Sequence, residues 1–279
     1  MTRSRRYSEV DVFAATPYRG NPLAVVHDAE GLSDADMQQF ANWTNLAETT
    51  FLLAPTNPQA DYRVRIFTAS EELPFAGHPT LGSARAWLDS GGAVSPDGVV
   101  VQECAAGLVS IRVSGDRFAF QAPPLTRYEA VDESHLQRIA DVLGIRREEI
   151  LDSSWIVNGP RWIGIRLHSA QDVLELRPDP AQLGDLEIGV VGPYGPEATA
   201  QFEVRAFFGG DAVWEDPVTG SLNAGLARWL MDTGAAPANY VASQGTVLDR
   251  QGRVHISVDG DVIWVGGHVS ACISGSVLI

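Results

Sequence analysis

Cysteine is nearly absent: Cys104 and Cys272 are the only two in 279 residues. No disulfide framework is available, and a chain long enough for two domains, each with its own core, needs none. Both cysteines lie in strand-like surroundings, which leaves one disulfide or two reduced thiols open. Long apolar runs are missing as well. Nothing approaches a membrane span, and the segment Val10-Asp-Val-Phe-Ala-Ala is too short and interrupted for the core of a signal peptide. Basic residues are scarce, 20 against 35 acidic, giving a formal charge of −15. That field repels a phosphate backbone or an anionic bilayer, so the expected partners include neither nucleic acid nor membrane. The expectation is a soluble cytoplasmic protein.

Chemical signatures are thin too. His27, His78, His135, His168, His255 and His268 show no metal-ligand spacing and no pair on one helix face, so no metal is expected. There is no phosphate-binding Walker loop, no G-x-G-x-x-G after a strand and no G-x-S-x-G elbow. The common nucleotide-cofactor and serine-hydrolase readings therefore fall away, and no cofactor is expected.

What the chain does contain is an internal echo. Gly77-His78-Pro-Thr-Leu-Gly82-Ser-Ala84-Arg85, followed by Asp89 and Gly91, matches Gly220-Ser221-Leu-Asn-Ala-Gly225-Leu-Ala227-Arg228, followed by Asp232 and Gly234. Every matched pair is 143 positions apart. Each block reads as a glycine-led turn and an apolar helix closed by glycine. Farther on, Ser110-Ile-Arg-Val-Ser-Gly-Asp116 matches His255-Ile-Ser-Val-Asp-Gly-Asp261 at a spacing of 145, a drift that small loop insertions produce.

Alternating segments predict strands over 7–13, 23–27, 48–53, 62–67, 99–102, 108–113 and 117–121, the first two paired as a hairpin-like start. Further strands are expected over 154–157, 162–167 and 202–208. Ser33 caps a predicted amphipathic helix that ends at Asn45, with Met37, Phe40, Ala41 and Trp43 as its buried side; another helix is expected over 133–143. Trp87 and Trp229 also fall at helical positions that look buried. Strand clusters outnumber helices, which argues for an α+β fold of two pseudo-symmetric domains. Each is a β-barrel-like antiparallel or mixed sheet wrapped around a central helix, and alternating parallel βαβ units do not fit. Ala122-Pro123-Pro124 marks the boundary, giving halves at 1–122 and 123–279 with the last residues free to return to the first half.

The starts of the echoed helices are the first candidate site. Helix amino termini present unpaired N–H groups and a positive dipole end, and Gly77 and Gly220 let a ligand reach the backbone. Pro79 suits a first helical position. Two such starts would clamp a small carboxylate between the halves. His78 can exchange protons near neutrality, and Asp216, ahead of Pro217, sits outside the helix. Glu48 opens the apolar strand Glu48-Thr-Thr-Phe-Leu-Leu, and a carboxyl in apolar surroundings keeps its proton, as an acid and base in turn must. No acidic twin of Glu48 is evident in the second half.

At these residues the sequence resembles the phenazine-biosynthesis PhzF-like isomerase family, a branch of the diaminopimelate-epimerase fold. Four ordered motifs carry the resemblance: Gly20-Asn21-Pro22-Leu-Ala-Val-Val; Asn45-Leu-Ala-Glu48-Thr-Thr-Phe; Glu72-Leu-Pro-Phe-Ala-Gly77-His78-Pro-Thr-Leu-Gly; and Glu215-Asp216-Pro217-Val-Thr-Gly220-Ser221, with Gln244-Gly245 beyond. The resemblance implies a homodimer and an active site without cofactor or metal. It implies that Glu48 moves a proton between carbons of the substrate and that His78 and Asp216 assist. It implies that Gly77, Gly220 and Ser221 bind the substrate carboxylate. The expected activity is a proton-shifting isomerase for a small unsaturated amino or hydroxy carboxylic acid of the dihydro-hydroxyanthranilate type, as in secondary-metabolite biosynthesis. Two alternatives stay open: an epimerase or racemase on the same fold, and a binding protein that has lost turnover. The thiol-based epimerases of this fold place cysteines at the helix starts. Here Ala76-Gly77-His78 and Thr219-Gly220-Ser221 hold none, which disfavours a two-thiol racemase.

Overall fold

A computed structural model describes residues 3–209 and 214–279. The chain forms two compact units, Met1–Gln121 with Gly266–Ile279, and Ala122–Val265. The first contains β1 (Ser4–Val12), β2 (Asn21–Val26), α1 (Asp34–Thr44), β3 (Glu48–Leu53), β4 (Tyr62–Phe67), β5 (Glu72–Leu73), α2 (Gly77–Asp89), β6 (Val99–Cys104), β7 (Gly107–Ser114) and β8 (Arg117–Gln121). The second contains β9 (Arg127–Glu129), α3 (Glu133–Leu143), β10 (Asp152–Val157), β11 (Ile163–Arg166), α4 (Ala170–Glu175), α5 (Pro180–Leu183) and β12 (Glu187–Pro193). It continues with β13 (Phe202–Phe208), β14 (Glu215–Asp216), α6 (Gly220–Asp232), β15 (Tyr240–Gln244) and β16 (Gly252–Asp259). The long β17 (Val262–Leu278) starts in the second unit and ends in the first.

In the first unit the pairings run β17–β1–β2–β3–β4–β6–β7–β8 and return to β17, a closed barrel of eight strands. Closure leaves this ring without a free sheet edge along the paired stretch. The β2–β3 and β4–β6 pairs are parallel and the other registered pairs antiparallel. Parallel neighbours need crossovers, and α1 and α2 supply them. The second unit repeats the order: β10–β11 antiparallel, β11–β12 parallel, β12–β13 antiparallel, β13–β15 parallel and β15–β16 antiparallel. The echoed helices α2 and α6 are the same crossover in both units.

These helices are buried on nearly every side, from Gly77 to Ala86 and from Gly220 to Leu230 with few exceptions. That fits a helix enclosed by a sheet and not one with a single wet face. Contacts of α2 reach β1, β2, β3, β4, β6 and β8. Such close approach requires glycine: a Cβ on Gly82 would lie 2.6 Å from Leu23 and 2.8 Å from Val10, and one on Gly225 would lie 2.9 Å from the Ile156 carbonyl oxygen.

Outer helices cover the remaining apolar faces. In the second unit α3 packs Leu136, Ile139 and Leu143 against Trp155, Ile165 and Ile188. Its ends are defined by an Asp132 side-chain cap and by Gly144 at φ 70. Helix α1 is capped by Ser33, with a reciprocal bond from Asp36, and stops at Asn45 in the left-handed region. Two expectations change. Trp43 is 81% exposed, because α1 docks through Met37 and Ala41 on the far side of the helix. Pro79 is the third residue of α2, since the helix begins at Gly77; it still falls in the first turn, where a missing N–H costs no intrahelical bond. Trp87 is half-buried while Trp229 is buried. Both cysteines are free thiols. Among the described residues no helix is long and apolar enough to cross a membrane.

Candidate active site

The two central helices differ from the others at their starts. Helices α1, α3, α4 and α5 each have an N-cap side chain, from Ser33, Asp132, Ser169 and Asp179, accepting a first-turn N–H. Helices α2 and α6 begin after Ala76 and Thr219 with no side-chain cap and no acidic residue in the first turn. A helix start with neither a side-chain cap nor a first-turn acid favours an anion brought from elsewhere. Gly77 and Gly220 stand at these positions and both are buried.

In the first unit the parallel register sets Glu48 opposite Leu23, at the end of the barrel where α2 begins. There Glu48 Oε2 lies 3.2 Å from His78 Nε2, and the two side chains are 15% and 5% exposed. Burial pushes the His78 imidazole down to about 3, and a hydrogen bond to the backbone of Pro22 opposes part of that shift. Proline has no N–H, so its carbonyl accepts and the ring donates. Asn21 Nδ2 is 3.4 Å from His78 Nδ1. The Gly20-Asn21-Pro22 turn is itself held by Asp11, whose carboxylate accepts the N–H groups of Arg19 and Gly20 at 2.9 Å. A neutral imidazole is therefore fixed against a shielded carboxyl group, an arrangement suited to holding and releasing one proton.

The second unit gathers Asp216, Gly220 and Ser221. Thr219 Oγ1 donates to Asp216 Oδ2 at 2.5 Å. Fully buried Gln244 fixes the direction of that bond. Its Oε1 accepts from Thr219 N at 3.0 Å and Asn223 Nδ2 at 2.9 Å. Its Nε2, which can only donate, reaches Thr219 Oγ1 at 2.9 Å and the Asp216 carbonyl at 3.1 Å. The Thr219 hydrogen is thereby directed to the Asp216 carboxylate. Ser221 Oγ accepts from Trp162 Nε1 at 3.0 Å, and its carbonyl accepts from Asn158 Nδ2 at 2.8 Å.

The duplication extends into these contacts. Gln102 on β6 donates to Thr80 Oγ1 at 3.0 Å on the first turn of α2, and Thr80 holds the place of Asn223, although strand register aligns Gln102 with Ala242, two residues before Gln244. Glu48 also has a twin. Thr49 opposes Phe67 and Ile188 opposes Phe207, while Phe67 and Phe207 in turn oppose Glu72 and Glu215. Glu187, opening β12, thus holds the place of Glu48, contrary to the expectation of no acidic counterpart. Its setting differs: burial raises its pKa, and the Arg161 backbone N–H, not a histidine, holds the carboxylate.

The structure thus brings Glu48, His78 and Gly77 together in one unit, and Asp216, Gly220 and Ser221 in the other. Sequence reasoning did not single out Asn21, Asp11, Thr219, Gln244, Trp162 or Glu187 as site residues. Asn21, Thr219 and Gln244 stood within or beside the motifs quoted above, which was the available signal. Among the described residues no group of three or more His, Cys, Asp or Glu side chains is placed to hold a metal ion. A cavity of about 440 Å³ beside the far end of α2, lined by His27, Tyr62 and Trp87 among others, includes none of the candidate residues.

The sequence model of the PhzC-PhzF family, described as phenazine biosynthesis-like protein, matches residues 10–275. The chain is 36% identical to antisense-enhancing sequence 1 of Schizosaccharomyces pombe, over 98% of each chain. It is 33% identical to trans-2,3-dihydro-3-hydroxyanthranilate isomerase of Pseudomonas aeruginosa, over 95% of this chain and 93% of the relative. A solved PhzF-family structure from Enterococcus faecalis superposes with a TM-score of 0.83 at 24% identity, covering 99% of this chain and 100% of that one. That last likeness speaks to the fold alone.

Proposed function

The chain belongs to the phenazine biosynthesis-like family and is an isomerase, and from that premise we propose that it shifts a proton between carbons of a small unsaturated amino or hydroxy carboxylic acid. The observation that carries the reading is the contact of Glu48 with neutral, buried His78 at the uncapped start of α2. Glu48 takes the proton from one carbon, the electron pair spreads through the adjoining unsaturation, and the same carboxyl returns the proton at another carbon. The C–H bond broken is matched by the one formed, and Glu48 ends as it began. His78 limits the loss of that proton by shielding the carboxyl and, with its one N–H given to Pro22, accepting a hydrogen bond from protonated Glu48 at Nε2. The starts of α2 and α6, through Gly77, Gly220 and Ser221, are assigned to carboxylate charge, and Asp216 to a hydrogen-bond donor of the substrate. All 20 basic residues are arginine. An imine between a lysine of this chain and the substrate, a common way to acidify a neighbouring carbon, is therefore not available.

The relative from Pseudomonas aeruginosa supplies the first substrate to try. Incubation with trans-2,3-dihydro-3-hydroxyanthranilate in D2O should give product with deuterium at the newly protonated carbon. Label at the original stereocentre would instead mark epimerisation. Glu48→Gln should lower turnover by about 10²- to 10⁴-fold, the range expected on losing a general acid and base, with the fold retained by circular dichroism. A Gln variant that turns over near the wild-type rate refutes the role of Glu48.

A further inference from the structure

Each unit contains an arginine–glutamate fork beside the segment that leads into its central helix. In the second unit Arg205 on β13 grips Glu215 on β14, Nε to Oε1 and Nη2 to Oε2 both at 2.8 Å. In the first, Arg65 on β4 grips Glu72 on β5 at 2.7 and 2.5 Å through the same atoms. The arginine lies over the phenylalanine two residues on in both, 4.8 Å from the Phe207 ring and 5.1 Å from that of Phe67. Glu72 and Glu215 are separated by the 143 positions of the glycine echo. Arg65 and Arg205 are 140 apart, because the connection from Phe207 to Glu215 is three residues longer than that from Phe67 to Glu72.

We propose that the two forks are positioning devices for the candidate site, setting the orientation of Asp216 through Glu215 and of the His78 turn through Glu72. Strands β5 and β14 have two residues each and two registered pairs, Ile66 with Leu73 and Phe67 with Glu72, Ala206 with Asp216 and Phe207 with Glu215. Ladders that short do not fix the roll of a strand. Successive side chains in a strand point to opposite faces, so a fork clamping Glu215 on one face displays Asp216 on the other. The planar guanidinium meets a carboxylate at two points and fixes both distance and angle, which a lysine does not. In the second unit the device is sealed: Arg205 and Glu215 are 2% and 4% exposed, and Arg205 Nη1 also reaches the carbonyls of Val173 and Leu176. Arg65 and Glu72 are 24% and 34% exposed, so that fork can be opened without stranding a buried charge.

This inference rests on the isomerase reading for its meaning, while its main readout needs no turnover. Glu72→Gln and Arg65→Lys should keep the wild-type thermal midpoint yet shift the His78 ring signals in 15N-histidine NMR. Arg65→Glu with Glu72→Arg should move them back towards wild type. Arg205→Lys, which keeps the buried charge and loses the fork, should shift the Asp216 carboxyl signal in 13C-aspartate spectra, assigned with Asp216→Asn. On a substrate that the wild type converts, the same variants should lose about 10-fold or more in kcat with KM nearly unchanged, as misplacement does. His78 and Asp216 signals that stay in place overturn the proposal, whether or not the midpoint falls. Failure of the wild type to convert trans-2,3-dihydro-3-hydroxyanthranilate counts against that substrate and leaves the NMR test of the forks unaffected.

Discussion

Acid should destabilise the folded chain through His78, and the size of the effect follows from its burial. The imidazole drops from an ordinary value of 6.5 to about 3 in the fold, chiefly because its charged form would be cut off from water. A base whose folded value is depressed is protonated first in the unfolded chain. Stability is therefore intact above the ordinary value and falls as pH drops through it towards the folded value. At about 1.4 kcal/mol per pH unit, the loss reaches about 2 kcal/mol near pH 5 and about 4 kcal/mol near pH 3. The side chain is 5% exposed, so solvent screening does little to reduce this. A Glu48 carboxylate at 3.2 Å favours the imidazolium and opposes the effect of burial, so the comparison is made with Glu48 neutralised. The measurement is urea unfolding followed by tryptophan fluorescence, near pH 7.5 and near pH 5. It compares Glu48→Gln with Glu48→Gln/His78→Asn, so that the carboxyl does not titrate. His27, lowered to about 4 by its own burial, contributes equally to both and cancels. The protein retaining His78 should lose about 2 kcal/mol more on acidification. Equal losses, or a smaller loss with His78 present, would refute the lowering of His78 by burial.

Three further outcomes follow from the packing and the buried polar groups. Gly82→Ala forces a Cβ to 2.6 Å from Leu23 and should cost about 1–3 kcal/mol in denaturation. Gly225→Ala, blocked by a backbone oxygen at 2.9 Å, should cost at least as much, and neutral substitutions would contradict the tight enclosure of α2 and α6. Gln244→Leu removes the acceptor of Thr219 N and Asn223 Nδ2, and should lower stability by about 1–3 kcal/mol for each buried donor left without a partner; an unchanged urea midpoint would show that they find other acceptors. Glu187 has a raised folded value, so its ionisation penalty appears as pH rises through the ordinary value of 4.5 and continues to grow until the folded value is passed. Glu187→Gln should therefore raise the thermal midpoint at neutral pH with the gain fading in acid, and a gain largest in acid would contradict the assigned shift.

How much of this was legible in the sequence depended on whether the signal was local. The echoed helices were, because glycine at a helix start, a continuous apolar segment and a closing glycine all fall within about four turns. The 133–143 helix was equally plain, bounded by Asp132 and Gly144. Strands β5 and β14 escaped notice because two residues have no period. The forks escaped because their arginines come from a neighbouring strand, at a spacing displaced from 143 by a loop difference. Trp43 was misjudged because it falls near Phe40 on a helical wheel, while the tertiary contact selects Met37 and Ala41. The twin of Glu48 was hidden for a related reason. Leu-Glu187-Ile shares no pattern with Ala-Glu48-Thr, and only strand register makes the two equivalent.

That equivalence gives the echo its chemical content. Duplication supplied both units with a central helix, a glycine-led start, an arginine–glutamate fork and a glutamate opening the strand before the one that bears the fork's arginine. What differs is the partner each acid received. Glu48 faces an imidazole that burial keeps neutral, and a protonated Glu48 beside it leaves no charge buried. Glu187 is held by a backbone N–H, and Trp162 Nε1 bonds to Ser221, the residue at the place of His78. Asp216 receives the Thr219 hydroxyl, oriented by Gln244 Nε2, which can only donate, and is kept as an acceptor. An exchanger in one unit and a fixed acceptor in the other are different tools from one scaffold. Restoring the symmetry should therefore remove function without disturbing the fold. Ser221→His would add an imidazole where Trp162 already takes the hydroxyl, and His78→Ser would leave Glu48 with no neutral base to share its proton. His78→Ser is thus the substitution expected to abolish turnover.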